Sequence, residues 1–379
     1  MFERIVIIIL FGLLPYLSSQ SYVDRYELIK AVSFLCVSNV FVAVALMLPG
    51  KTYNVKLSIL DKLLLALFGW QVLVSILGRD VISSIFGQYY RYQGIVTMVC
   101  YLQIYYLVSR KFSILKNFNW IIAGSGILNS VFLVGQWVAL RWFEMPIYNV
   151  FGRLSGNMGN PNFAGAFVAL SFAYCKNIWL FPIYLIGVLL TDSRGSLIVL
   201  GLILVGKSYW LVKNKVRFGL LVGLVGILLV LIYPQRPKSL FEDRTLIWRH
   251  AIEAITKRPI SGWGVENFSL AFESTLKEND FDLKNIRVDK AHNELLEITT
   301  ASGLIGGGLY LWLLYILFRS LLKNLNHVWA QDNLLALIGF VLISMTNVVS
   351  LNTYLFFYLI AGIVSQKVFC KSRNSARQE

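Results

Sequence analysis

The sequence predicts an all-α, polytopic membrane protein of about twelve transmembrane helices with one large, partly helical extracytoplasmic loop. Three observations predict it. The chain of 379 residues is 57% hydrophobic and only 15% charged, more apolar and less charged than soluble domains. Apolar runs close to the roughly 20 residues that a helix needs to cross a bilayer recur along its length. One long polar stretch, residues 234–302, separates the first runs from the last three.

The runs fall at roughly 4–19, 29–49, 60–78, 94–110, 119–141, 161–176, 178–192, 195–212, 216–233, 303–322, 332–350 and 352–368. The first follows Arg4 and precedes Ser18-Ser19-Gln20-Ser21, the layout of a signal peptide. It is read as an uncleaved helix, because its removal would invert the charge bias of the loops. The stretch 178–212 is too long for one pass, and Asp192-Ser193-Arg194-Gly195 splits it into a hairpin. The layout is thus one membrane domain without internal repeats. Residues 1–233 hold helices 1–9, 234–302 the loop, and 303–379 helices 10–12 with a short cytoplasmic tail.

Short loops that face the cytoplasm collect Lys and Arg. With the N-terminus inside, the inward loops hold 18 of the 35 cations, among them Lys51, Lys111, Lys213, Lys323 and Arg373. Both termini are therefore expected in the cytoplasm, with the large loop outside. The net charge of +15 is read mostly as anchoring to anionic membrane lipids. Its spread over many loops argues against a nucleic-acid partner. Cys36, Cys100, Cys175 and Cys370 form no disulfide or metal pattern.

Polar chemistry at a membrane surface points to the large loop. A helix is expected after Phe241, capped by Glu242 or Asp243 and ended by Lys257-Arg258-Pro259. At about 100° per residue, Arg244 falls within the arc of Ile247, Trp248, Ala251 and Ile255, so it faces the membrane or the protein body. Arg249 lies on the opposite arc with Glu253 as a partner, and His250 toward the polar side. A second helix is expected from near Asp289. On it His292 shares a face with Leu295, Leu296 and Thr299, while Glu294 and Glu297 point away. A packed, hydrogen-bonded histidine and a general base are both open for His292, since imidazole titrates near neutral pH.

Other cations stand at outward helix ends. Arg153 precedes Gly156-Asn157-Met158-Gly159-Asn160-Pro161-Asn162, where Asn160 suits an N-cap and Pro161 the first helical position. Such a helix start attracts anions. Arg194 lies beside Asp192, its local pairing alternative. Arg91, among Tyr89, Tyr90 and Tyr92, is a site candidate or an aromatic-belt anchor. Arginine recognises phosphate through two parallel hydrogen bonds, so this set fits a lipid-linked diphosphate. Asp280-Phe281-Asp282 is a common chance pattern, and the arginines are preferred to a metal.

At these residues the chain resembles the O-antigen ligase and polymerase superfamily. The resemblance rests on R-x-S-G-x-x-G-N-P-N at Arg153 to Asn162, S-R-G at Ser193 to Gly195, and R-x-x-x-W…P-x-x-G-x-G at Arg244 to Gly264. A-H-N-E-x-L-E at Ala291 to Glu297, followed by Gly303-Leu304-Ile305-Gly306, completes the set in the family's order. It implies a bacterial cytoplasmic-membrane enzyme that transfers a glycan from an undecaprenyl-diphosphate carrier to a glycan, lipid or other hydroxyl acceptor, with inversion and without metal, nucleotide or other cofactor. Carried onto this sequence, His292 is the general base, and Arg153, Arg194 and Arg244 bind the diphosphate. Arg91, Asn160, Asn162, Asn293 and Glu294 are further candidates.

The loop of about seventy residues and the A-H-N motif favour a ligase, which moves a finished glycan, over a polymerase of the same chemistry. A transporter or flippase of lipid-linked glycan would place its charges at mid-membrane depth and repeat its helices. The candidates cluster at one face instead.

Overall fold

The computed structural model describes residues 2–19, 24–47, 57–112, 118–145, 152–211, 244–277 and 288–369, with isolated positions between 219 and 226. Among these residues the protein is helical, with no strand. The helices are α1 (Phe2–Ile7), α2 (Glu27–Met47), α3 (Ile59–Ile76), α4 (Val81–Phe86), α5 (Ile95–Tyr106), α6 (Phe118–Trp142) and α7 (Pro161–Phe172). They continue as α8 (Phe181–Thr191), α9 (Arg194–Leu211), α10 (Arg244–Lys257), α11 (Phe268–Glu273), α12 (Glu294–Leu322), α13 (Val328–Ser344) and α14 (Leu351–Val364).

Five of these, α2, α3, α6, α9 and α12, are long and apolar enough to cross a membrane. Three shorter apolar helices, Pro161–Phe172, Ile178–Thr191 and Val328–Ser344, account for further expected passes. The run at 216–233 falls almost wholly outside the described residues. Twelve full-length passes are thus more than the described helices supply, because several apolar runs stop early at turns. The run expected over 332–350 stops at Ser344, and Met345 to Ser350 form a turn instead of a last helical turn.

Local sequence sets the boundaries. Ser58 and Asp61 form a reciprocal cap at the start of α3. Asn160 caps α7 by accepting from the Asn162 amide, with Pro161 at the first position. Asp192 takes a left-handed conformation and ends α8, so the expected hairpin of α8 and α9 is present.

At the centre lies α7, every residue of which except Asn162 is buried. It packs against α6, α8, α9, α13 and α14, as a helix that is apolar all round must. The outer faces of α2, α6 and α12 instead expose Val40, Met47, Val131, Trp312 and Tyr315, an apolar surface matched to lipid.

Two of the cations expected in inward loops depart from the lipid-anchoring expectation. Arg110 is buried against Asp61, and Lys207 is buried against Asp332 at 3.2 Å. Charges at membrane depth are costly unless paired. Part of the positive excess therefore holds helices together.

The described part of the 234–302 stretch is two helices, α10 and α11, and the first turns of α12. It joins the membrane region through a break inside α12, at Ser302 and Gly303 (φ 67°). A break frees backbone groups that lipid cannot satisfy. Here the Pro259–Gly264 segment satisfies them. Trp263 N and Gly264 N donate to the Thr300 and Ala301 carbonyls, both at 2.9 Å. Leu304 N donates to the Pro259 carbonyl at 2.7 Å, and Trp70 Nε1 to the Ser302 carbonyl at 2.7 Å. The glycines are required by contact: a Cβ on Gly303 would lie 2.0 Å from the Ile260 carbonyl oxygen, and one on Gly262 2.4 Å from that of Ala301.

Candidate functional site

The segment 288–294 is not the first turn of a helix. Asn293 is the N-cap of α12, accepting from Leu296 N at 3.2 Å, and His292 precedes it with φ 53°. Asparagine competes successfully for the N-cap position, so the helical count from Asp289 does not apply to His292. The two glutamates also face inward. Glu294 is buried and accepts from the Tyr354 hydroxyl. Glu297 accepts from Ala291 N at 2.8 Å and pairs with Lys290 at 3.2 Å. Lys290 is also bonded to Glu266. Burial disfavours the charged ammonium, but Glu266 and Glu297 outweigh it and raise the Lys290 pKa.

Helix α10 explains the spacing of Arg244 and Trp248. Residues four apart share a helix face. Trp248 Nε1 donates to the Ala291 carbonyl at 3.1 Å, and Arg244 Nη2 donates to Asn347 Oδ1 at 2.9 Å. The residue before His292 is thus fixed at both backbone groups, by Glu297 on N and Trp248 on O. Asn347 lies in the turn between α13 and α14, where Asn293 Nδ2 also donates to the Met345 carbonyl at 3.3 Å. His250, expected toward the polar side, is buried and bonded to Thr275 at 2.8 Å. Glu253 pairs with Lys257 at 3.8 Å.

The imidazole of His292 is half-buried and has no hydrogen-bond partner among the described residues. Burial, then the neighbouring Arg244, push its pKa down to about 4 against the opposing pull of Asp289, with Arg91 adding to the fall. It is neutral at physiological pH. Arg91 Nε donates to Asp289 at 2.6 Å. Burial would raise the Asp289 carboxyl, but Arg91, Lys290 and His292 together hold it below its ordinary value.

Arg153 bridges two other elements. Its Nε donates to the Thr191 carbonyl at 3.1 Å, and Nη2 to the Asp192 carbonyl at 2.9 Å and Asn162 Oδ1 at 2.8 Å. It therefore ties the α7 start to the turn that carries Arg194, which is half-buried. That turn meets the Asn347 segment: a Cβ on Gly195 would lie 3.2 Å from Asn347 Nδ2. Arg91 lies 5.9 Å over the Phe163 ring of α7. His292, Asn293, Arg244 and Arg91 thus meet Arg153, Arg194, Asn160 and Asn162 at one end of the bundle. Among the described residues six non-glycine positions hold left-handed backbone, and all but Glu144 (Tyr90, Tyr92, Asp192, Glu266 and His292) belong to these segments. Each such residue costs about 1–3 kcal/mol and marks an over-determined site.

No sequence motif marks Asn347, Lys290, Glu266, Asp289 or Tyr354 as part of this arrangement. The only signal for Asn347 was a polar group, Ser344, Thr346, Asn347 and Ser350, at the end of an apolar run. Asp280, Asp282, Glu242 and Asp243 lie outside the described residues.

Residues 179–311 match the family model described as O-antigen ligase. This stretch of the chain is therefore similar to the O-antigen ligase family. The matched stretch contains Arg194, Arg244, His292, Asn293 and Glu294, while Arg91, Arg153, Asn160 and Asn162 precede it. The match and the apolar helices together support a multi-pass membrane protein. No curated protein matches the chain.

Proposed function

We propose that this protein is a ligase-like enzyme of the O-antigen ligase and polymerase superfamily that moves a glycan from undecaprenyl diphosphate to an acceptor hydroxyl at the outer face of the bacterial cytoplasmic membrane. One observation carries the reading. His292 is a neutral imidazole without a hydrogen-bond partner among the described residues, held in a left-handed turn beside the Arg244–Asn347 pair.

In this reading the acceptor hydroxyl gives its proton to His292 as its oxygen attacks the anomeric carbon. The bond from that carbon to the diphosphate oxygen breaks with inversion. The departing charge is taken up by Arg194 and Arg244, and Arg153 fixes the turn that carries Arg194. The diphosphate bond already supplies the activation, so no nucleotide is needed and the cations are arginines. The carrier's apolar tail stays in the bilayer, and residues 234–302 cover the outer side.

His292→Gln tests the assignment: transfer is lost while undecaprenyl diphosphate is still bound. Full transfer by that variant at normal protein levels refutes it. Glycan profiles of cells without the protein separate the two members of the superfamily. Long chains stranded on the carrier identify a ligase, whereas acceptors carrying a single repeat identify a polymerase.

A further inference from the structure

Beside the site lies a cleft of 360 Å³ between the start of α2, the Tyr90–Arg91 turn and the start of α7, lined by Asp24, Tyr26, Glu27, Arg91 and Asn160 among others. The volume suits a small ligand, whose pockets measure about 300–1,000 Å³. Asp24 is 5% exposed and Glu27 8%. Asp24 Oδ1 caps α2, accepting from Tyr26 N and Glu27 N, both at 3.0 Å. Among the described residues its buried Oδ2 has no hydrogen-bond partner, and neither has Glu27 Oε1, which forms a longer ion pair with Lys30 Nζ at 3.6 Å. Buried carboxylate oxygens left without donors are costly, and such groups call for a partner.

The walls are built rather than incidental. Lys30 donates to the Asn157 carbonyl at 2.8 Å, fastening α2 to the turn before α7. Gly159 leaves room for the Tyr26 ring, which any Cβ there would meet at 2.8 Å. Tyr90 is 52% exposed at the rim.

The charges select the ligand class. Arg25 and Arg91 line the cleft and disfavour a free cation; Asp24 and Glu27 disfavour an anion. A neutral polyhydroxylated ring satisfies both. Its hydroxyls donate to Asp24 Oδ2 and Glu27 Oε1 and accept from Arg91 or Asn160, and its C–H face lies on a tyrosine ring. We infer that this cleft is a subsite for a pyranose residue of the glycan substrate. The inference rests on the proposed glycan transfer. The position agrees with it: Arg91 in the cleft wall is bonded to Asp289, three residues before His292.

The test uses the full-length protein in nanodiscs and two probes. One is the oligosaccharide released by mild acid from the lipid-linked glycans of the producing cell; the other is undecaprenyl diphosphate without sugar. Asn at position 24 keeps a capping oxygen, so Asp24→Asn should fold. It should weaken oligosaccharide binding roughly tenfold and leave undecaprenyl diphosphate binding unchanged. Glu27→Gln is the second variant, with the same expectation. Wild-type affinity for the oligosaccharide in both variants, or no oligosaccharide binding by the wild type, overturns the subsite. If undecaprenyl diphosphate fails to bind the wild type while Asp24→Asn still weakens oligosaccharide binding, the proposed function falls and the subsite stands. In transfer assays, a raised KM for the lipid-linked donor assigns the cleft to the donor glycan, and a raised KM for the acceptor assigns it to an acceptor glycan.

Discussion

Arg244 and Asn347, 103 residues apart in the chain, are joined by a hydrogen bond of 2.9 Å. The bond connects the first turn of α10 to the turn between α13 and α14, and so aims a cation at the space beside His292. Arg244→Lys keeps the charge but lacks the planar fork. Transfer by this variant should fall roughly 10²-fold, the scale of losing one donor to a developing anion. Asn347→Leu should lose a comparable factor. The double variant should be no worse than the weaker single one, because the two residues act as a unit. Glycan transfer in membranes with matched protein levels measures all three; additive losses would separate the residues.

The low pKa of His292 fixes a pH dependence. In the proposed role His292 works as an unprotonated base, and its pKa in the free protein is about 4. Transfer at low substrate should therefore be level from pH 8 to near 5 and fall only below that. Stability moves the same way. The unfolded histidine takes up its proton near pH 6.5 and the folded one only near pH 4, so this site's contribution is lost as pH falls through that window. Relative to the wild type, His292→Gln should become more heat-stable as pH falls from 6.5 toward 4, which melting curves in detergent will show. A pH-independent difference between the two proteins would contradict the shift.

The break in α12 predicts a sharp contrast among glycines. Gly262 and Gly303 hold positive φ, and an added Cβ would lie within 2.4 Å and 2.0 Å of backbone carbonyl oxygens. Gly262→Ala and Gly303→Ala should each cost at least about 2 kcal/mol and lower the yield of folded protein. Gly308, with nothing within 4 Å of an added Cβ, should accept alanine without loss. Size-exclusion yield and melting temperature provide the comparison.

Lys290 is the cation between Glu266 and Glu297. Removing one partner of a buried pair leaves charge uncompensated, at a cost of about 3–5 kcal/mol. Lys290→Met should therefore abolish folded protein. Glu297→Gln keeps an acceptor for the Ala291 amide, so it should fold and show reduced transfer as the His292 turn loosens. Equal yields of the two variants would argue against the cluster.

Local signals were legible where one residue decides a boundary. Asn160 before Pro161 gave the start of α7, and Asp192 to Gly195 gave the break between α8 and α9. The motif residues Arg244, Trp248 and His292 were legible as a set, but their contacts were not. Trp248 meets Ala291 across 43 residues, and no periodicity within α10 reports that. The helical period does not reach His292, because Asn293 caps α12 and leaves the histidine outside the helix. Asn347 was hidden inside an apolar run, and the inward turn of Glu294 and Glu297 depends on Lys290 and Tyr354, which other segments bring to them. The cytoplasmic cation bias likewise could not distinguish a lipid anchor from Arg110 and Lys207, which need Asp61 and Asp332 to be recognised.

The interrupted α12 also bears on protein engineering. Its orphaned carbonyls at Thr300, Ala301 and Ser302 are met by Trp263, Gly264 and Trp70, so the 234–302 stretch and the apolar helix that follows it share one hydrogen-bond set. A chimaera that exchanges only residues 234–302 would cut through that set, leaving Leu304 and Trp70 facing foreign partners. The transplantable module has its seam beyond Leu304, and it carries the Trp70 contact as a compatibility requirement on the recipient.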